Sequence, residues 1–560
     1  MTPLLRTVLA AACLALPLFK SLGADSRPNI VIIMADDLGF SDAGCFGGEI
    51  HTPNIDSLAK NGLRFTQFYN AARCCPTRAS MLTGQYAHKV GLARNGHSLS
   101  RSGATIAELL KANGYQTAMS GKWHLSFTPV LPDNEKHQQW LDHRFDPQQP
   151  FAPLETYPVN RGFEKHFGIV WGVINYFDPF SLVDGIKPVK EVPKDFYMTD
   201  AITDHAVGYV RDFAKSDKPF FLYVAHCAPH WPLHALPEDI AKYRDTYKDG
   251  WDALRQKRFE RQKQMGLFDP QNTTLPPLHG NGKTWNQLTP EEKNYQASKM
   301  AVHAAMVDHL DRGIGELLNA LKETKQLDNT VIFFLADNGA SPEIPGRPGY
   351  DRTAFTRAGE KLRYEPDGIP VETMGSQTSY TGIGSYWANA ANTPFRFWKK
   401  ESYEGGAHTP MIVHWPKGLK AKKGSTTEQV GHVIDLLPTC LDLAKGTYPA
   451  ELNGNRLTPL DGLSLTPVLQ GKQRPAHESI FWEHEGGKAI RMGDWKLVAL
   501  SKPRSEWELY NIAQDRTEMH DLAKENTKQF DLLKARYDEW FHAVAEPAIP
   551  GPSQKSKGGK

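Results

Sequence analysis

Asn29-Ile30-Val31-Ile32-Ile33-Met34-Ala35-Asp36-Asp37-Leu38-Gly39 is a continuous apolar run that stops on two carboxylates. A strand with one wet face alternates polar and apolar residues; a run without alternation belongs to a strand covered on both faces, as in α/β sheets. Thr330-Val331-Ile332-Phe333-Phe334-Leu335-Ala336 repeats the pattern and ends in Asp337-Asn338-Gly339. Phe220-Phe221-Leu222-Tyr223-Val224-Ala225 is a third such run, with Ala228-Pro229-His230 just beyond it. Open α/β sheets carry their sites at the carboxyl ends of their strands. The pattern predicts an α/β fold with polar groups gathered at the carboxyl ends of its strands.

Outward from these strands, Val430 to Ala444 reads as a helix closing the large domain. Past Gly462 the pattern changes to short strands, Ser479 to Trp482 and Lys496 to Leu500, then a helix near Lys528 to Val544, which predicts a smaller C-terminal antiparallel sheet plus helix. The expected division is 1–24 targeting segment, 25–462 large α/β domain, 463–548 small α+β subdomain and 549–560 disordered tail. Asp146 to Pro158, Phe268 to Pro290 and Gly339 to Gly384 are rich in turn formers and read as long loops over the sheet. No internal repeat and no nucleic-acid motif is present.

Arg6 precedes the apolar run Thr7 to Phe19, and Ser21-Leu22-Gly23-Ala24 offers a small-residue cleavage site. The run falls short of the ~20 residues of a membrane span. Ala10 stands where a lipoprotein signal ending at Cys13 prefers leucine. The expectation is an exported protein, periplasmic or extracellular, with no transmembrane segment in the mature chain. A hydrophobic fraction of 40% with 13 Trp indicates a packed core, and a formal charge of +2 argues against a general polyanion binder. The densest basic stretch, Arg255, Lys257, Arg258, Arg261 and Lys263, reads as the solvated face of a helix.

The most informative run is Cys74-Cys75-Pro76-Thr77-Arg78-Ala79-Ser80-Met81-Leu82-Thr83-Gly84. Adjacent cysteines alone fit a buried pair, disulfide partners or soft metal ligands, but no C-x-x-C spacing supports zinc. The whole run resembles the sulfatase signature C-x-P-x-R-x-x-x-L-T-G. From about Arg27 to about Ala545 the chain is similar to the bacterial arylsulfatase-type branch of that family, within the alkaline phosphatase superfamily, and the resemblance implies a large mixed, mostly parallel sheet flanked by helices. Thr52 to Asp56, Tyr197 to His205 and Asn392 to Arg396 carry the same likeness.

The resemblance implies that a formylglycine-generating maturation enzyme oxidises Cys74 to formylglycine (3-oxoalanine), while Cys75 stays structural. A sulfate monoester repels anionic nucleophiles; the hydrate of an aldehyde offers one hydroxyl to attack sulfur and a second to expel sulfate afterwards. Arg78 would act as a fixed cation beside that diol. Asp36, Asp37, Asp337 and Asn338 match the family's calcium ligands, completed by an oxygen at position 74. Such an oxygen-only shell suits Ca2+, Mg2+ less so, and is unsuited to zinc. Four cysteines then remain in the exported chain, allowing disulfides without requiring any.

Three more segments match the family's sulfate clamp: Gly121-Lys122-Trp123-His124-Leu125, Ala228-Pro229-His230, and Lys399 five residues before Glu404-Gly405-Gly406. The implied roles are charge stabilisation by Lys122 and Lys399, protonation of the departing alcohol by His230, and release of sulfate assisted by His124; the two histidines are exchangeable at this stage. His408-Thr409 and His226-Cys227 depart from the usual family residues, and Lys400 competes with Lys399 for assignment by spacing. Trp171, Tyr176, Phe177, Trp231, His234 and Trp398 are candidates for a substrate pocket. The implied reaction hydrolyses a sulfate monoester, of a small molecule or a carbohydrate, to an alcohol or phenol and inorganic sulfate. Aryl, alkyl and carbohydrate esters stay open, as do a phosphonate or phosphate ester hydrolase on the same scaffold and an unmatured sulfated-glycan-binding protein.

Overall fold

The computed structural model describes residues 27–502 and 505–545. The targeting segment with Cys13 and the tail 549–560 lie outside the described residues. Ten strands form the large sheet among those residues: β1 (Asn29–Ala35), β2 (Leu63–Phe65), β3 (Gln116–Gly121), β4 (Lys165–Ile169), β5 (Leu182–Asp184), β6 (Lys187–Pro188), β7 (Phe220–Ala225), β8 (Thr330–Ala336), β9 (Met411–His414) and β10 (Ser425–Thr427). Their order is β10-β2-β9-β8-β1-β7-β3-β4-β5-β6. The sheet is mostly parallel, with β9 antiparallel to both neighbours and β5 and β6 antiparallel at the far edge.

The three apolar runs lie side by side at its centre, as their composition demands, and every residue of β1, β7 and β8 is buried. Alternate side chains of β1 enter opposite cores: Val31 and Ile33 one, Ile30, Ile32 and Met34 the other. Helices used below are α1 (Cys74–Thr83), α2 (Asn134–Leu141), α3 (Met198–Phe213), α4 (Gly250–Gln264), α5 (Pro290–Glu323) and α6 (Thr527–Ala545). Helices α3 and α5 cover the first face of the sheet. Among the described residues no helix is long and apolar enough to cross a membrane.

Register positions the site. Ala35 pairs with Ala336, and Gly121 with Ala225, so Asp36, Asp337 and Lys122 leave the sheet together. Gly121 has φ +115°, and a Cβ there would stand 1.9 Å from the Ala225 carbonyl oxygen, so only glycine lets β3 end this close to β7.

The C-terminal strands β11 (Ile480–His484), β12 (Gly487–Met492), β13 (Trp495–Ala499) and β14 (Glu508–Asn511) form the expected antiparallel sheet. One face packs on α6 through Phe481, Ile490, Leu497 and Leu509. The other packs Trp482 and Val498 on Tyr69 and Tyr403 of the large unit. Lys496 crosses this seam, with Nζ 2.8 Å from Glu404 and 2.9 Å from Glu518, all three side chains fully buried. Lys496→Met is expected to leave two carboxylates without their shared cation at a cost of about 3–5 kcal/mol. Urea unfolding reads this; an unchanged midpoint would show the network to be dispensable.

The basic stretch on α4 departs from expectation. Helical spacing turns Arg255 and Arg258 inward, to 2% and 1% exposure, while Lys257 and Arg261 stay outside. Arg258 holds Asp42 and Glu49, each at 2.8 Å, and Arg255 donates to the Pro276 and Pro394 carbonyl oxygens. Two of these charges are therefore ties within the fold and not a solvated face. All five described cysteines are buried and unpaired.

Candidate active site

Asp36 and Asp37 follow β1, and Asp337 and Asn338 follow β8. The Asp37 backbone N–H donates to Asp337 Oδ1 at 3.2 Å, and Asn338 Nδ2 donates to Asp37 Oδ1 at 2.6 Å. Asp37 takes φ +64°, a conformation short polar residues tolerate better than most. The four residues are at most 2% exposed. Burial, then Asp337, pushes the Asp36 carboxyl up to about 8 in spite of Lys122 and Arg78.

Cys74 opens α1 and is 2% exposed, with Arg73 as the preceding N-cap residue. The positive end of a ten-residue helix therefore stands at position 74, where an anion is favoured. Burial pushes the Cys74 thiol up, against the pull of Lys399, Lys122 and Arg73, so an unmodified side chain here stays a thiol. One turn on, Arg78 lies fully buried and makes a two-pronged contact with Asp337 Oδ2, at 3.0 Å from Nε and 2.7 Å from Nη2. Its Nη1 donates to the Lys122 carbonyl oxygen at 3.0 Å.

Lys122 Nζ contacts Asp36 Oδ2 at 2.5 Å, and Lys399 Nζ lies 2.9 and 3.0 Å from the two Asp37 oxygens. The structure decides between the consecutive lysines: Lys399 is 1% exposed within the site, whereas Lys400 turns away to Glu485 at 2.8 Å. Both site lysines stay charged despite burial, Lys122 through Asp36 and Lys399 through Asp37 and Glu343.

His230 Nδ1 lies 2.6 Å from the Trp231 carbonyl oxygen, which can only accept, so this nitrogen carries hydrogen and Nε2 faces Asp37 Oδ2 at 3.5 Å. His124 rests against the backbone of Gly172, where a Cβ would stand 2.4 Å from Nε2. Burial first, and then the nearby lysines, hold both imidazoles well below the ordinary histidine range. Both imidazoles are therefore neutral, His230 in spite of the Asp37 carboxylate 3.5 Å away.

Cys74, His124, His230 and Lys399 line one pocket of about 390 Å3. Trp171 and Trp231 line it too. Of the other pocket candidates, Tyr176 is buried and donates to the Cys227 and His230 carbonyl oxygens, His234 is buried against the Ser379 carbonyl oxygen, and Phe177 and Trp398 pack on the core. His408 and His226 are buried away from the pocket lining, so the departures from the family pattern leave the cavity untouched.

Sequence reasoning missed Glu343. Its carboxylate joins three distant segments: Arg73 at 2.7 Å, Trp231 Nε1 at 2.9 Å and Lys399 at 3.5 Å. Lys399 and Arg73 hold it ionised against burial. It sits in a loop without periodicity, so no pattern marks it.

The acidic pairs fit a hard cation. Asp36 Oδ1 and Asn338 Oδ1 are buried oxygens without a hydrogen-bond partner, and ligating atoms of Asp36, Asp37 and His230 lie within 4.8 Å of one another. Buried acceptors left unpaired are costly, and an oxygen-seeking divalent ion removes that cost. His230 among these atoms is not one of the expected ligands.

Comparison with known proteins identifies the family. The profile described as Sulfatase matches residues 28–447, and that described as N-sulphoglucosamine sulphohydrolase, C-terminal, matches residues 395–540. An uncharacterized sulfatase of Schizosaccharomyces pombe is 33% identical, covering 90% of this chain and 91% of its own. The arylsulfatase of Klebsiella aerogenes is 30% identical, over 80% and 93% respectively. The crystal structure of Ps i-CgsB in complex with k-i-k-neocarrahexaose superposes with a TM-score of 0.62 at 26% identity, covering 93% of this chain and 98% of that one.

Proposed function

The chain belongs to the sulfatase family and is a sulfuric ester hydrolase, and from that premise we propose that it hydrolyses a sulfate monoester through a formylglycine made from Cys74 beside one calcium ion. The observation that carries this reading is the setting of Cys74: a buried, protonated thiol at a helix N-terminus, lining one pocket with Lys399, His124 and His230. A thiol so placed is a poor nucleophile as encoded; oxidation supplies, in its hydrated form, an uncharged hydroxyl able to approach a sulfate. Calcium held by Asp36, Asp37, Asp337 and Asn338 would neutralise charge on the sulfate oxygens.

The chain's own groups do the rest. Lys399 lines the pocket, while Lys122 and Arg78 are fully buried beside Asp36 and Asp337, so that their fixed positive charge would favour the sulfate oxygens from a setting poor in water, where such charge counts most. His230 holds its ring through the Trp231 carbonyl oxygen and offers Nε2 to the bridging oxygen. Burial first, and then the lysines, keep the ring neutral; the negative charge of bound sulfate favours its protonated form, which can pass a proton to the leaving alcohol. His124 assists the later release of sulfate. The reading includes export to the periplasm or the medium, from the segment Thr7 to Phe19, and maturation by a formylglycine-generating enzyme.

Peptide mass spectrometry of active enzyme is expected to find position 74 as the aldehyde, about 18 Da below the thiol, or as its hydrate. A full complement of thiol in active protein would overturn the reading. His230→Ala is expected to slow esters of poor leaving groups by about 10²–10⁴-fold and activated aryl sulfates least. Rates along a graded series of leaving groups decide it, and a deficit constant along the series returns the acid role to Lys399 or His124.

A further inference from the structure

The catalytic groups form the floor of the pocket, and a tight turn that they do not need forms part of its wall. Gly349 and Arg352 exchange two backbone hydrogen bonds of 3.0 Å, with Tyr350 and Asp351 at the tip. Tyr350 takes φ +57°, a strained setting for a bulky residue. Helix α2 pins the turn from outside: His137 Nε2 lies 2.8 Å from the Tyr350 carbonyl oxygen, and Gln138 donates to that of Arg352 at 3.3 Å. The backbone is thus used to hold the turn still, while the side chains of Tyr350, Asp351 and Arg352 line the cavity that contains Cys74.

Among the described residues, the two charged side chains are paired only weakly, with each other and within their own turn. The closest cation to the Asp351 carboxylate is its own neighbour, Arg352 Nε, at 3.7 Å, and no hydrogen bond from another described residue reaches it. Arg352 uses only Nε, in a long 3.4 Å contact to Gly349, so both terminal nitrogens of its fork are without a partner among the described residues. The side chains of Asp351 and Arg352 are 19% and 27% exposed. Asn95, on the same cavity, has a buried Oδ1 with no partner. Acceptors this sheltered are costly unless a ligand brings donors.

The wall therefore offers an unpaired amide oxygen, a carboxylate met only by its neighbour Arg352, and a planar donor fork, the last two carried on a turn whose backbone is fixed in advance. A ring bearing several hydroxyls answers acceptors and fork alike, since each hydroxyl donates and accepts. Simple aryl or alkyl groups answer neither. Trp231 adds an apolar face suited to the C–H side of a sugar ring, and about 390 Å3 lies in the range of small-molecule sites. Building on the sulfatase reading above, we propose that Asp351, Arg352 and Asn95 form a hydroxyl-reading subsite and that the preferred ester is a carbohydrate sulfate.

The test measures kcat/KM on methyl pyranosides carrying one sulfate at each ring hydroxyl in turn, and on nitrophenyl sulfate, for wild type, Asp351→Asn and Arg352→Lys. Wild type is expected to turn over at least one sugar sulfate. The ratio of that kcat/KM to the aryl value is expected to fall by about tenfold or more in each variant, because a site built to bond hydroxyls loses discrimination when one partner changes. Unfolding midpoints confirm that each variant is folded, and either variant alone suffices. A ratio unchanged within about twofold in both overturns the subsite. Wild-type turnover of the aryl ester with none of any sugar sulfate also overturns it, and leaves the sulfatase reading standing. Failure on both ester classes, with an unmodified thiol at position 74, rejects the catalytic reading and this inference with it.

Discussion

Cys74→Ala is expected to fold normally and to lose at least about three orders of magnitude in turnover. The side chain is small and 2% exposed, and no hydrogen bond depends on it, so alanine removes little packing. Everything around it persists: Arg78 stays on Asp337, Lys122 on Asp36 and Lys399 on Asp37. The variant thus keeps the charge that binds sulfate and lacks the nucleophile, together with the oxygen that position 74 would lend to the ion. Single-turnover and steady-state rates on one sulfate ester, with an unfolding midpoint as control, check it. Activity within tenfold of wild type would reject position 74 as the nucleophile, whatever mass spectrometry finds there.

Asp337→Asn is expected to cut turnover by about 10²–10⁴-fold, and chelation of the wild type to do the same, with calcium restoring activity more readily than zinc. Asparagine is preferred to alanine because Asp337 also holds Arg78 at 2.7 Å and receives the Asp37 backbone N–H at 3.2 Å. Alanine would strand a buried guanidinium, mixing a folding defect with loss of a ligand. The amide keeps shape and one acceptor while removing the charge that draws a divalent ion. Calcium titration of the variant, followed by its unfolding midpoint, should show weakened stabilisation by the ion. Full activity in metal-free wild type would dismiss the ion from the reaction.

Much of the fold and of the site is legible in the order of residues alone. Unbroken apolar runs at Asn29–Ala35, Phe220–Ala225 and Thr330–Ala336 have one physical solution, a strand buried on both faces, and they occupy the sheet centre. The motif from Cys74 to Gly84, Gly121-Lys122-Trp123-His124 and the strand-end carboxylates are contiguous, and spacing finds contiguous chemistry. The α4 cations mislead because a run of charges carries no phase; burial of Arg255 and Arg258 depends on which face of the helix meets the core. Glu343, Asn95 and the Tyr350–Arg352 turn escape a reading by pattern because they lie in loops, where neither period two nor period 3.6 applies.

The sequence by itself determined the family, the motif that opens on Cys74, the two acidic pairs and the α/β plan, because each depends on residues close together along the chain or on strand burial. Only the tertiary structure decided that Lys399 and not Lys400 enters the site, that Glu343 ties Arg73 to Lys399 and Trp231, and that Asp351 and Arg352 face the same cavity as Cys74. Those relations join segments from tens to hundreds of residues apart. They are set by strand register and by turns held from outside, and so come into being only when the chain has closed on itself.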